Sequence, residues 1–236
     1  MSNVGDKIQT SNANWRFNED IVHGFDDHVS KSVPFYNEGH DLVMKISDFF
    51  ISDNSTCYEI GCSTGSLLKI LDHRNSKKDV SFIGIDSEEA MVNYALDKCK
   101  NISSISIIQA DAVDYDFEKS DLIICYYTMQ FIKPRYRQIL IDKIYKSLNW
   151  GGAFILFEKV RAPDARFQDI LNQVYIEFKL SQGFSESQII NKSKSLKGIL
   201  EPFSTKGNLD LLKRAGFKDV LTVFKYACFE GFLAIK

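Results

Sequence analysis

The chain has 236 residues, 44% of them hydrophobic and 25% charged, with a formal net charge of −2. That is enough chain for one α/β unit and an ordinary balance for a soluble protein. The near-neutral charge gives no electrostatic reason to expect direct nucleic-acid binding or an anionic membrane, and no apolar run approaches spanning length. The N-terminus has no signal-type apolar region. The five cysteines (Cys57, Cys62, Cys99, Cys125, Cys228) lack C-x-x-C spacing, so neither a zinc site nor a disulfide framework is indicated, and a reducing, cytoplasmic compartment is expected.

In chain order, the polar, Asn-rich residues 1–20 read as a frayed start. Two short helices at about 21–31 and 38–51, broken by Val33-Pro34, make residues 1–52 an N-terminal helical arm. An alternation typical of a parallel sheet follows: strand 56–60, helix 64–73, strand 80–85, helix 87–100, strands 105–109 and 121–126, helix 135–148 and strand 152–158. Short apolar runs such as Leu122-Ile123-Ile124-Cys125 predict strands buried on both faces. Asn149-Trp150-Gly151-Gly152 reads as a helix stop, with glycine for a left-handed cap. A long helical insert is predicted over 163–203, where Lys192, Lys194 and Lys197 recur as a solvated helix face. Helix 205–215 and runs 219–226 and 228–235, an antiparallel hairpin at the sheet edge, complete the chain. The order predicts one α/β domain over 1–236: a Rossmann-like three-layer sandwich with a mostly parallel sheet and an antiparallel C-terminal edge strand.

The chemistry is concentrated at the ends of the first strands. Thr56-Cys57-Tyr58-Glu59-Ile60 runs into Gly61-Cys62-Ser63-Thr64-Gly65 and then an amphipathic helix, and the next strand ends in Asp86. Glycines let backbone approach a ligand, and an acid at the second strand end can accept both ribose hydroxyls. The loop lacks the third glycine of a dinucleotide fingerprint and the Gly-Lys-Ser/Thr of a phosphate-gripping loop. Gly61-Cys62-Ser63-Thr64-Gly65 also spells the G-x-S-x-G nucleophile elbow. Of His23, His28, His40 and His73, only His73 follows Ser63, at the end of the helix that the loop opens. A catalytic triad cannot be assembled from that position.

The spacing E-x-G-x-x-x-G resembles motif I of class I S-adenosylmethionine (SAM)-dependent methyltransferases, in which the loop passes under the amino-acid part of SAM. More specifically, the chain resembles the carboxy-S-adenosyl-L-methionine (carboxy-SAM) synthase family. The resemblance lies in Trp15-Arg16-Phe17-Asn18-Glu19, Ser32-Val33-Pro34-Phe35-Tyr36, Gly61-Cys62-Ser63, Met129-Gln130-Phe131, Gly151-Gly152-Ala153, Glu158-Lys159, Gly183-Phe184-Ser185-Glu186 and Lys213-Arg214-Ala215-Gly216-Phe217. Those proteins have the methyltransferase fold and convert SAM, with prephenate as carboxyl source, into carboxy-SAM for tRNA wobble-uridine modification. The resemblance implies that Tyr36 reaches over the cofactor and that Gly61, Cys62 and Ser63 lie beneath it. It also puts Asp86 and Ser87 at the ribose and Asp111 and Ala112 at the adenine. Glu59 and Gly65 complete the loop, and Tyr126 stands near the sulfonium, where the family has asparagine.

A second departure falls on Ser193, which stands where the family has the arginine that pairs with the extra carboxylate. Lys194 is adjacent, but one helical residue turns a side chain by about 100°. The leading expectation is therefore a SAM-dependent methyltransferase acting on a small-molecule acceptor. The alternatives are a carboxy-SAM synthase in which Lys194 or another cation replaces the arginine, and a non-catalytic SAM-binding regulatory protein. Candidate bases are Tyr126, Tyr127, Glu158 and His28. Phe25, Phe35, Tyr36, Phe167, Tyr175 and Phe178 are candidate acceptor-pocket aromatics. The apolar surplus of Phe167, Ile170, Leu171, Val174, Tyr175 and Phe178, together with the dimers of the related family, predicts a homodimer.

Overall fold

The structure is a computed structural model describing residues 2–6, 8–17 and 19–236. Among the described residues the start of the chain is folded rather than frayed. Strands β1 (Ser2–Asn3) and β2 (Gln9–Thr10) pair as an antiparallel ribbon, and Val4, Ile8 and Trp15 are buried. These apolar residues have no regular spacing, so no local pattern announces them; tertiary packing orders them. The ribbon is followed by α1 (Glu19–Val22), α2 (Phe25–Ser32) and α3 (Tyr36–Ser47), so the expected two-helix arm is three pieces. The α2–α3 break comes at Val33-Pro34, and Phe35 turns the chain with φ 57°. Gly39 inside α3 has a packing reason: a Cβ there would occupy the place of the Tyr126 hydroxyl.

The alternating elements follow with nearly the expected bounds: β3 (Ser55–Ile60), α4 (Ser66–Arg74), β4 (Val80–Asp86), α5 (Glu89–Cys99), β5 (Ile105–Gln109), β6 (Ser120–Tyr126), α6 (Pro134–Ser147) and β7 (Leu148–Lys159). Strand β7 starts earlier than expected. Residues 149–152 lie within it at a register shift against Ser120 and Leu122, and Gly151 takes the left-handed conformation there (φ 80°). The insert is two helices, α7 (Ala165–Ser181) and α8 (Glu186–Ser195), with α8 opened by a Ser185–Gln188 capping box. Then come α9 (Thr205–Ala215), β8 (Asp219–Tyr226) and β9 (Phe229–Ile235).

The large sheet has the order β5-β4-β3-β6-β7-β9-β8, parallel except for β9, which runs antiparallel to both neighbours. The C-terminal hairpin sits at the edge as expected, but its last strand lies inside and β8 is outermost. Burial decides this: β9 is almost entirely buried, whereas β8 alternates exposed and half-buried residues. Leu122 and Ile124 of β6 pack into a core shared with α3 and α4, while Ile123 and Cys125 pack against α6 and α9. The sheet is thus covered on both faces. The chain leaves β3 toward β4 and β5, then returns to the other side of β3 as β6. That reversal opens a crevice at the carboxyl ends of β3 and β6, the usual ligand site in such sheets.

Candidate active site

A cavity of about 1420 Å³ occupies that crevice. Its floor is the turn after β3. Gly61 (φ 70°), Ser63 (φ 50°) and Gly65 (φ 73°) take left-handed conformations, and the Gly61 and Cys62 amides donate to the Ile85 carbonyl at 2.7 and 3.1 Å. Only glycine fits at 61, because a Cβ would strike Thr128. Glu59, Gly61, Cys62, Ser63, Asp86, Ser87, Asp111 and Ala112 all border the cavity, so every sequence-predicted cofactor contact in this part of the fold except Gly65 converges there. Gly65 is buried beneath the loop, 3.1 Å from Cys99 Sγ by its would-be Cβ, and starts α4.

The acids at this end are held in place by backbone. Asp86 Oδ2 accepts from the Ser63 amide at 2.9 Å and Oδ1 from the Glu88 amide at 3.0 Å. Burial raises its pKa, and those N–H donors oppose the rise. Glu59 is 4% exposed, and its Oε2 has no hydrogen-bond partner among the described residues. Burial, reinforced by the nearby Asp86 charge, holds its carboxyl well above the usual range. Asp111, at the end of β5, is exposed and uses Oδ1 to accept from the Val113 amide at 2.9 Å.

Aromatic residues form the middle of the wall. The Tyr126 hydroxyl donates to the Tyr36 carbonyl at 2.7 Å, tying α3 to the end of β6. Tyr36 stacks on Tyr127 at 6.2 Å between centroids, and His40 lies between Tyr36 and Tyr126 at 4.7 and 4.6 Å. Burial raises the pKa of all three phenols and lowers that of His40 to about 4. Tyr126 and Tyr127 are therefore phenols at neutral pH, poorly suited to remove a proton. Glu158 does not border the cavity. It is fully buried behind the turn 127–131, with Oε1 accepting from the Gln130 amide at 3.2 Å. Of the acceptor-pocket aromatics, Phe25, Tyr36 and Tyr175 line the cavity. Phe35 instead packs at 4.9 Å from Tyr226, and Phe167 is 52% exposed on α7.

The opposite end of the cavity is basic. Lys192, Ser193, Lys194 and Lys197 all border it; Lys194 and Lys197 are exposed, as the solvated-face reading expects, and Lys192 departs from it by turning inward, half-buried. Helix spacing was the same either way; the way α8 docks on the N-terminal segment decided the outcome. The Ala13 and Trp15 amides donate to the Lys194 and Ser195 carbonyls at 3.0 and 3.1 Å, which turns this edge of α8 inward. Lys192 Nζ lies over the Trp15 ring and 3.2 Å from His28 Nε2, whose Nδ1 is 2.8 Å from Asp6. Burial and the Lys192 charge lower the His28 pKa to about 4, which leaves it a neutral link in this network. Lys159 and Lys179 also line this end, and no sequence motif marked them as site residues.

Residues 58–152 match the methyltransferase-domain family. Over 223 residues the chain is 40% identical to the carboxy-S-adenosyl-L-methionine synthase of Staphylococcus epidermidis, covering 94% of this chain and 97% of that one. The chain belongs to the carboxy-S-adenosyl-L-methionine synthase family. The synthase of Campylobacter jejuni is 37% identical over 229 residues, 97% of each chain. Among solved structures, human N-acetylserotonin methyltransferase in complex with SAM superposes with a TM-score of 0.63 at 17% identity, over 92% of this chain and 55% of that one. An O-methyltransferase family protein from Burkholderia thailandensis gives 0.65 at 13%, over 92% and 60%. These two share the class I methyltransferase fold, and membership of the synthase family makes the protein an enzyme. Tyr126 and Ser193, the two positions expected from the resemblance to depart from the family pattern, both border the cavity.

Proposed function

We propose that this protein is a carboxy-SAM synthase. The observation that carries the reading is a cavity with acids at one end and ammonium groups at the other, in a chain 40% identical along nearly its whole length to a protein of that name. SAM fits the acidic end. Asp86 keeps lone pairs for the ribose hydroxyls, Asp111 Oδ2 for the adenine amino group, and the orphaned Glu59 Oε2 for a donor of the amino-acid part. The stacked rings of Tyr36 and Tyr127 support an attraction for the sulfonium cation. The basic end then takes the carboxyl donor, which the family resemblance gives as prephenate.

Carboxyl transfer breaks the carbon–carbon bond that holds the carboxyl group to its donor and leaves the electron pair on the donor. A bond forms between that carboxyl carbon and the methyl carbon of SAM, from which a proton leaves. The groups at this point are phenols with raised pKa values and a neutral His40 with a pKa of about 4. We assign the departing proton to the second substrate; the protein orients the two reactants and excludes water. Methyl transfer to a small acceptor is the second reading, and Ser193 is the residue that favours it. Mass spectrometry of the nucleoside recovered after incubation with SAM and prephenate separates the two. Carboxy-SAM is the expected product. S-adenosylhomocysteine appearing with a methylated metabolite supports the second reading, and unchanged SAM supports a binding protein without turnover.

A further inference from the structure

Lys159 leaves the end of β7 and Lys179 comes from α7, yet both ammonium groups lie 4.3 Å from the centre of one ring, that of Tyr175. The ring is fixed: its hydroxyl donates to the Ser32 carbonyl at 2.8 Å, and the Phe229 ring meets it at 5.1 Å. The backbone of Lys159 is held as well, because its amide donates to Gln130 Oε1 at 2.9 Å. Neither ammonium forms an ion pair with a carboxylate among the described residues, although the protein pairs surface lysines such as Lys45 and Lys206 readily. Two like charges on one ring in a cavity wall repel, and an anion set between them reverses the sign of that interaction.

We infer that Lys159 and Lys179, bracketing Tyr175, form a seat for a carboxylate of the second substrate, separate from the nucleoside subsite. The inference rests on reading this cavity as a two-substrate site. Among anions the surroundings favour a carboxylate on an apolar or ring-bearing body, since Tyr175, Phe229 and Ile176 supply the adjoining wall. Lys192 stands at the same end but is already engaged with His28 and Trp15. Lys194 and Lys197 also border this end, but Lys159 and Lys179 are the two whose ammonium groups meet over one ring without a carboxylate partner among the described residues. In this arrangement the nucleoside subsite is built from Asp86 and Asp111 at the ends of other strands, and both lysines select the partner substrate.

Calorimetry on the full chain tests this with three probes: prephenate, succinate and S-adenosylhomocysteine. Wild-type protein is expected to bind at least prephenate. Lys179→Met and Lys159→Met should each weaken that binding about tenfold or more and leave S-adenosylhomocysteine affinity within about twofold. Lys179→Arg, which keeps the charge, should restore most of it. The seat is overturned if wild type binds neither carboxylate at about 10 mM, if both Met variants bind as wild type does, or if the nucleoside is lost in parallel. If lysine-dependent carboxylate binding stands but no carboxy-SAM forms, the proposed function fails and the seat survives.

Discussion

Glu158 illustrates how a buried carboxyl group can be structural at the edge of a catalytic cavity. Burial pushes its carboxyl up to about 8, while the Arg137 guanidinium and the Gln130 amide pull it back. The native state therefore holds a proton that the unfolded chain, with a carboxyl near 4.5, has released. The resulting stability is fully present below the unfolded value and is lost as pH rises through about 8. Glu158→Gln should remove that dependence. In urea unfolding, the variant should gain about 4 kcal/mol on wild type between about pH 5 and about pH 9. A gap that does not change with pH would show that Glu158 does not titrate in this range. At the same scale, Glu59, Asp86 and Asp111 were legible because each ends a parallel strand, a position fixed by local sequence. Lys159 and Lys179 were not: their convergence on Tyr175 depends on how α7 docks over β7.

Among the elements, α2 does more than cover the cavity. Asp26 accepts from Thr64 Oγ1 at 2.7 Å, from Ser66 Oγ at 2.9 Å and from Lys98 Nζ at 2.8 Å, so one side chain ties the arm to the Gly61–Gly65 turn and to α5. Burial raises its pKa, but these partners outweigh it and hold the carboxyl below the usual range. Asp26→Ala should cost about 1–2 kcal/mol in denaturant unfolding, with Asp26→Asn intermediate, since the site is partly exposed. Hydrogen exchange should speed in α2 and the turn while α6 and β7 keep wild-type protection. Uniform acceleration would refute the local-latch reading. The β/α alternation behind this architecture was readable because buried strands and amphipathic helices carry distinct periods. Helix 205–215 and strands 105–109 and 219–226 fall on their observed bounds. The N-terminal ribbon carried no period, and the order of β9 and β8 depended on relative burial across the sheet.

At the scale of the whole molecule, α7 is anomalous. It has seventeen residues and none is buried. Its inner side supplies Tyr175 and Lys179 to the cavity, while Phe167 (52% exposed), Ile170 (50%) and Val174 (39%) recur at helical spacing on solvent. Leu180 adds a further apolar side chain at 40% exposure. A helix stripe of this kind loses about 25 cal/mol for each Å² left in water, and a second copy can cover it symmetrically, as most soluble oligomers do. We propose a homodimer through this face, which would also brace the wall that carries Lys179. Light scattering at tens of micromolar should give twice the chain mass, and Ile170→Glu with Val174→Glu should give the monomer. Calorimetry on that double variant should then show weaker prephenate binding with S-adenosylhomocysteine binding retained, because only the carboxylate end leans on α7. A wild-type monomer mass would leave the exposed stripe without this partner and remove the proposed support for the lysine seat.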